Sequence, residues 1–334
     1  MVGIPELILL TALVVLPIGC VVNWYVAYAR IREGLPILPW TKRDNVPWGL
    51  VDLGAIVLLI GLIAGGGVSL ATSAMGVVVP ASVDEMVPAD QAKTFLAFGV
   101  GTLVSTVFGM VWLAMRYGRV DGFSSVWLRH DIELGLRFFA MLVVPVVGLQ
   151  VLLTSLVPSR HPLIEMLKES GDLTFLPVAA FAAVFSAPIF EEAFFRLWLQ
   201  GWLEKMQVTI QRVRLGIGTK ADSDAVILGG ESSSSLESED GDAWTSRGGV
   251  AGMSDSPEAE DNARPIMWLP ILVTSVLFAL AHLNHGPDWI PLFFLALGLG
   301  YLYQRTGRIQ PCIVVHMLVN LLGILQLWAL IRQP

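Results

Sequence analysis

LTFLPVAAFAAVFSAPIF, residues 173–190, carries no charge, and EEAFFR, residues 191–196, follows at once with two carboxylates and a guanidinium. An uncharged apolar run of this length reads as a membrane helix. A charge at the centre of such a helix costs about 2.5–3.5 kcal/mol even on the lenient insertion scale, so Glu191, Glu192 and Arg196 need partners or a task. The whole chain agrees with its most telling segment. Of 334 residues 54% are hydrophobic and only 15% charged, with a mean hydropathy of +0.67. A soluble chain averages about 25% charged residues and cannot hide this much apolar surface. The fold class is therefore an all-α polytopic membrane protein. A formal charge of −7 offers nucleic acid no basic face. Cys20 and Cys312 lie in apolar spans and read as core packing rather than a disulfide or metal site.

Working outward at roughly 20 residues per span gives about eight transmembrane helices. They cover about 5–29, 47–70, 94–115, 138–157, 173–203, 266–282, 289–303 and 311–331. The first lacks a basic leader region and reads as a retained helix. The second blurs through Gly65, Gly66 and Gly67 towards Pro80, and the sixth and seventh are short enough for one to be re-entrant. Loops after odd-numbered spans hold sixteen of the 21 Lys and Arg residues; the opposite loops hold Lys93, Arg160, Lys168 and Arg332. The positive-inside rule then places both termini outside the cytoplasm, on a plasma membrane if the cell is bacterial.

One segment has a different character. Residues 221–264 hold eleven acidic and two basic side chains, a run of four serines at 232–235 and little apolar content. That composition predicts a disordered cytoplasmic insertion. Leu203 to Leu215, with basic residues among apolar ones, reads as a helix along the inner membrane face, and Trp127 to Arg137 as a second. The chain thus divides into four N-terminal membrane helices (1–172), the Glu-Glu-x-x-x-Arg helix with its interfacial helix (173–220), the insertion (221–264) and C-terminal membrane helices (265–334). No internal repeat is evident.

Three polar clusters remain inside apolar spans. Successive helical residues point about 100° apart, so Glu191 and Glu192 cannot share a direction, whereas Glu192 and Arg196 face the same way. Pairing Glu192 with Arg196 leaves Glu191 as the available carboxylate. Pro188 removes the helical hydrogen bond to the carbonyl of Val184, which predicts a kink just before Glu191. The second cluster ends the sixth span, where Phe278 and His282 share a face and Asn284 and His285 follow. His316 and Asn320, four apart in the eighth span, form the third and point into the bundle or a water-filled cavity.

A carboxylate, two imidazoles and an amide can activate water. A carboxylate withdrawn from solvent is a stronger base, and an adjacent histidine can hold or share the water. On this reading Glu191 is the base with His282 beside it, and His316 and Asn320 donate to a developing oxyanion. The chain shows no Ser or Cys nucleophile motif and no His-Glu-x-x-His zinc signature. Glu191, His282 and His316 also form a ligand set whose atom types suit zinc. At 1.5 Å per residue, Glu191 lies about 21 Å from Lys205 and His282 about 27 Å from Arg264, but His316 only about 12 Å from Arg308. Convergence then requires tilt, overhang or a re-entrant end.

In order along successive apolar spans, Glu-Glu-x-x-x-Arg (Glu191, Glu192, Arg196), Phe-x-x-x-His (Phe278, His282) and His-x-x-x-Asn (His316, Asn320) resemble a known family. It is the CAAX-processing and bacteriocin-processing (CPBP) intramembrane endopeptidases, also called the Abi or type II CAAX prenyl endopeptidase family. The resemblance runs from about Leu173 to Leu327, and the insertion departs from it by widening the gap between the first two motifs. It implies hydrolysis of a peptide bond in a membrane-bound, possibly prenylated, protein or peptide within the lipid bilayer. Glu191 and His282 would activate water and His316 and Asn320 would form the oxyanion site, with Glu192, Arg196 and Phe278 in support. It favours a metal-free glutamate mechanism, with a zinc-dependent version as the alternative. Two other classes stand beside the enzyme: a non-catalytic membrane immunity or scaffold protein, and a proton-coupled carrier. Against the carrier, the chain lacks repeated spans and paired broken helices.

Overall fold

In the computed structural model of the chain, the described residues are 4–41, 45–77, 88–118, 128–157, 176–216 and 265–331. Eight helices occur among them: α1 (Ile4–Arg32), α2 (Leu50–Ala74), α3 (Pro88–Tyr117), α4 (Arg129–Leu156), α5 (Leu176–Arg214), α6 (Trp268–Leu280), α7 (Trp289–Thr306) and α8 (Gln310–Ile331). No strand is present among the described residues. The acidic insertion falls outside them.

Six of these helices, α1 to α5 and α8, are long and apolar enough to cross a membrane. Of the eight expected spans, six are thus of membrane-crossing length among the described residues, and α6 and α7 are shorter. At 1.5 Å per residue α6 is only about 20 Å long, short of the roughly 30 Å hydrocarbon layer. A 3₁₀ turn, Leu283–Asp288, joins it to α7.

Neither separate interfacial helix is present. Arg129 to Arg137 forms the first turns of α4, and residues 203–214 continue α5 without a break. Helical hydrogen bonding carries on through Gly135 and Gly201, and no proline falls at either junction to remove a donor.

The hydrophobic surface is arranged for lipid. Leu7, Leu13, Val21 and Tyr25 of α1 are exposed, and α1 packs along α4 and α8. By contrast α5 is central, touching α3, α6, α7 and α8. Leu197, Trp198, Leu295, Leu299, Leu302 and Tyr303 form its apolar surroundings. Close approach has sequence causes: a Cβ on Gly135 would lie 2.6 Å from Val314, and one on Gly300 would lie 2.9 Å from Ile271. Buried Cys20 and Cys312 are both free thiols.

Basic residues tie one end of the bundle together. Arg308 grips Asp131 at the start of α4 through two bonds of 2.7 Å, and Arg116 meets Asp52 at the start of α2 at 3.0 Å. Lys205 donates to the carbonyls of Pro47 and Trp48, and Arg305 to that of Leu38. Four of the sixteen residues assigned to one side by charge counting thus act as clamps between helix ends.

Pro188 disturbs α5 differently from a simple kink. The ladder widens to π-helix over Phe181–Ser186, tightens to α over Ala187–Glu192, and widens again over Ala193–Gln200. Widening moves each rung by one residue, so the carbonyl facing the missing proline N–H is that of Ala183, not Val184. Single π turns inside helices are often functional features, and here two flank the Glu-Glu pair.

Candidate active site

Glu191 and Glu192 end the short α segment between the two π turns, and they diverge as a helix requires. Glu192 is fully buried and fully occupied. Its Oε2 accepts from Arg196 Nε at 3.3 Å, and its Oε1 lies 2.8 Å from His316 Nδ1. Arg196, equally buried, donates through Nη1 to Thr274 Oγ1 of α6 at 3.2 Å. Its guanidinium carbon sits 5.9 Å over the Phe278 ring, a cation–π contact.

The polar ladder continues at intervals of four. Gln200 donates to the Gly300 carbonyl of α7 at 2.8 Å and to Glu204 Oε1 at 2.9 Å. Gln304 also reaches Glu204 and bonds both backbone groups of Met267. Charges and amides taken out of water are tolerable only when paired this way. Sequence reading took up only Glu192 and Arg196; the spacing of four that continues to Gln200 and Glu204 was the signal for the rest of this face. Thr274, Gly300 and Gln304 carried no signal, because helix pairing decides their partners.

Glu191 faces elsewhere. Its side chain is 19% exposed and lines a cavity of about 340 Å³ with Val57, Ile60, Phe190, Phe194, Phe195, Ala281 and His282. Among the described residues of that lining, Glu191 and His282 are the polar ones. The other wall of the carboxylate is His316, whose Nε2 is 3.7 Å from Glu191 Oε2. His316 therefore stands between the two glutamates, held by Glu192 and turned towards Glu191. On the far side of Phe190 and Glu191 lies a smaller cavity of about 80 Å³, edged by Thr102 and Ser186. At about 30 Å³ per water, it has room for two or three molecules.

His282 is fixed by its own turn. Its Nδ1 lies 2.8 Å from the Phe278 carbonyl, which can only accept, so Nδ1 carries the proton. In the neutral ring Nε2 is then an acceptor. The rings of Phe278 and His282 lie 4.8 Å apart, and Phe278 also meets His316 edge-on at 5.8 Å. Fully buried Phe278 is thus the spacer between both imidazoles and Arg196. Side chains of Asn284 and His285 lie outside the described residues.

Asn320 is the residue placed differently from expectation. It shares a face of α8 with His316, and both turn towards α5. Its Nδ2, however, donates to the Ala183 carbonyl at 2.7 Å, two turns before Glu191. The structure gathers Glu191, His282 and His316 and sets Asn320 against the backbone above them.

As to zinc, a protein site takes three or more such side chains arranged about one point. No group of three or more His, Cys, Asp or Glu side chains with that geometry occurs among the described residues. His316 Nδ1 bonds Glu192 and His282 Nδ1 bonds a carbonyl, so Nε2 is the nitrogen that each ring turns elsewhere.

Comparison of the chain with curated proteins and with solved structures gave no match. A comparison with protein families gave one: the model described as Rce1-like, type II CAAX prenyl endopeptidase Rce1-like. With six membrane-length apolar helices, this marks an integral membrane protein. The family match covers residues 257–322, and that stretch, which carries Phe278, His282, His316 and Asn320, is similar to the family that its motifs resemble.

Proposed function

We propose that this protein is an intramembrane endopeptidase that hydrolyses a peptide bond of a membrane-bound, CAAX-type protein or peptide with Glu191-activated water. One observation carries the reading: of two adjacent glutamates, only Glu191 opens onto a cavity, and it does so beside two oriented histidines. Water in that cavity donates one hydrogen to Glu191 and one to His282 Nε2. Its oxygen attacks the scissile carbonyl carbon as its proton passes to Glu191. His316, when protonated, holds Nδ1–H on Glu192 and presents Nε2–H on the cavity side to the oxyanion. Glu191 then returns the proton to the leaving nitrogen and the carbon–nitrogen bond breaks. Apolar walls of Val57, Ile60, Phe190, Phe194 and Phe195 suit a lipid-proximal substrate and limit competing water.

The test uses purified full-length protein and a farnesylated CAAX peptide in H₂¹⁸O. Cleavage should place one ¹⁸O in the new carboxylate, and Glu191→Gln should slow it by about 10²–10⁴-fold, the usual worth of a general base. A parent protein that cleaves nothing, paired with a Glu191→Gln variant that keeps the cellular effect, would favour the immunity or scaffold reading. Cleavage that stops with chelators and returns with zinc would favour the metal-dependent one.

A further inference from the structure

Pro188 and Asn320 sit on different helices, yet they meet at one carbonyl. Over Phe181–Ser186 the rungs of α5 run from residue i to i+5, and the last of them takes the Ala187 N–H to the Ala182 carbonyl. The next rung would bring the N–H of residue 188 to the Ala183 carbonyl. Residue 188 is proline and has no N–H. A carbonyl left unpaired within an apolar bundle is costly, since no water replaces the lost donor. Asn320 supplies the donor instead, from Nδ2 at 2.7 Å.

The consequence for the site is geometric. Asn320 fastens α8 to α5 at Ala183, and His316 fastens it at Glu192, so Glu191 lies within the interval bracketed by the two attachments. On the α3 side the same π turn is held through Ser186, which donates to the Gly99 carbonyl and lies 2.9 Å from Thr102 Oγ1. We infer that Asn320 is a positioning residue: it replaces the backbone rung deleted by Pro188, and so fixes the π register that turns Glu191 to the cavity. This rests on Glu191 being the working carboxylate only where hydrolysis is the readout.

The test compares Asn320→Ala, Pro188→Ala and the double variant of the full chain in detergent, by thermal unfolding and by hydrolysis of the farnesylated CAAX peptide. Asn320→Ala should lower the unfolding midpoint by about 2–4 °C. It should also slow hydrolysis by about tenfold to a hundredfold, as misplacement of a reacting group does. Pro188→Ala restores an N–H opposite Ala183, so the double variant should regain both properties to within about threefold in rate, a strong departure from additivity. A double variant as impaired as Asn320→Ala overturns the inference, as does a loss of hydrolysis with the midpoint unchanged. Should Asn320→Ala fail to fold, recovery of folded protein on adding Pro188→Ala supports the inference, and continued failure overturns it. If the parent cleaves no peptide, the hydrolytic reading falls while the midpoints still decide the coupling.

Discussion

Glu191 and Glu192 are neighbours in the chain and opposites in the fold. Around Glu192 every direction is filled: His316 on one oxygen, Arg196 on the other, and Thr274 behind the guanidinium. Around Glu191 there is a cavity of about 340 Å³ with mostly apolar walls and one further polar residue, His282. About 100° of helical rotation separates a carboxylate that holds three helices together from one that faces a cavity. The lesson is that the expensive charges do not form a single functional unit. One wall of α5 satisfies its charges in order to be rigid, and the adjacent wall leaves one charge accessible because something rigid supports it.

The largest expected break of this contrast comes from the filled side. Arg196→Ala strands Glu192 in a fully buried position and should lower stability by about 3–5 kcal/mol, read as unfolding in detergent. An unfolding midpoint equal to the parent's would mean that Glu192 has no need of its partner. Thr274→Val removes one acceptor from the guanidinium and should cost about 1.5–3 kcal/mol by the same measurement. Gly300→Ala pushes a methyl to 2.9 Å from Ile271 and 3.1 Å from Gln200, and overpacking of this kind costs about 1–3 kcal/mol. The open side should behave in reverse. Ala281→Phe fills exposed cavity space, so it should leave stability within about 0.5 kcal/mol while slowing peptide hydrolysis. A stability loss as large as that of Thr274→Val would show that the cavity lining is structural as well.

Much of this contrast was legible in the sequence, for reasons that are local. Spacing of four joins Glu192 to Arg196 and Phe278 to His282, and helical rotation alone separates Glu191 from Glu192. Apolar run lengths found the eight helices of the described residues, but not which could cross a membrane: α6 ends at Leu280, and six of the eight are of crossing length. What the chain concealed were relations between helices. That Asn320 would serve Ala183 depends on the π register of α5, and that His316 would touch both glutamates depends on how α8 docks. The continuity of Arg129–Leu156 was hidden by its charged first turns, which look interfacial but begin a span. Pro188 was read correctly as a break in the ladder, though the register shift moved the orphaned carbonyl by one residue.

The most direct measurement sets Glu191→Gln beside Glu192→Gln, each scored for thermal unfolding and for hydrolysis of the farnesylated CAAX peptide. The account predicts that Glu191→Gln unfolds with the parent and loses hydrolysis by about 10²–10⁴-fold, whereas Glu192→Gln loses stability first. Hydrolysis that survives in Glu191→Gln, or a Glu192→Gln protein as stable as the parent, would contradict it.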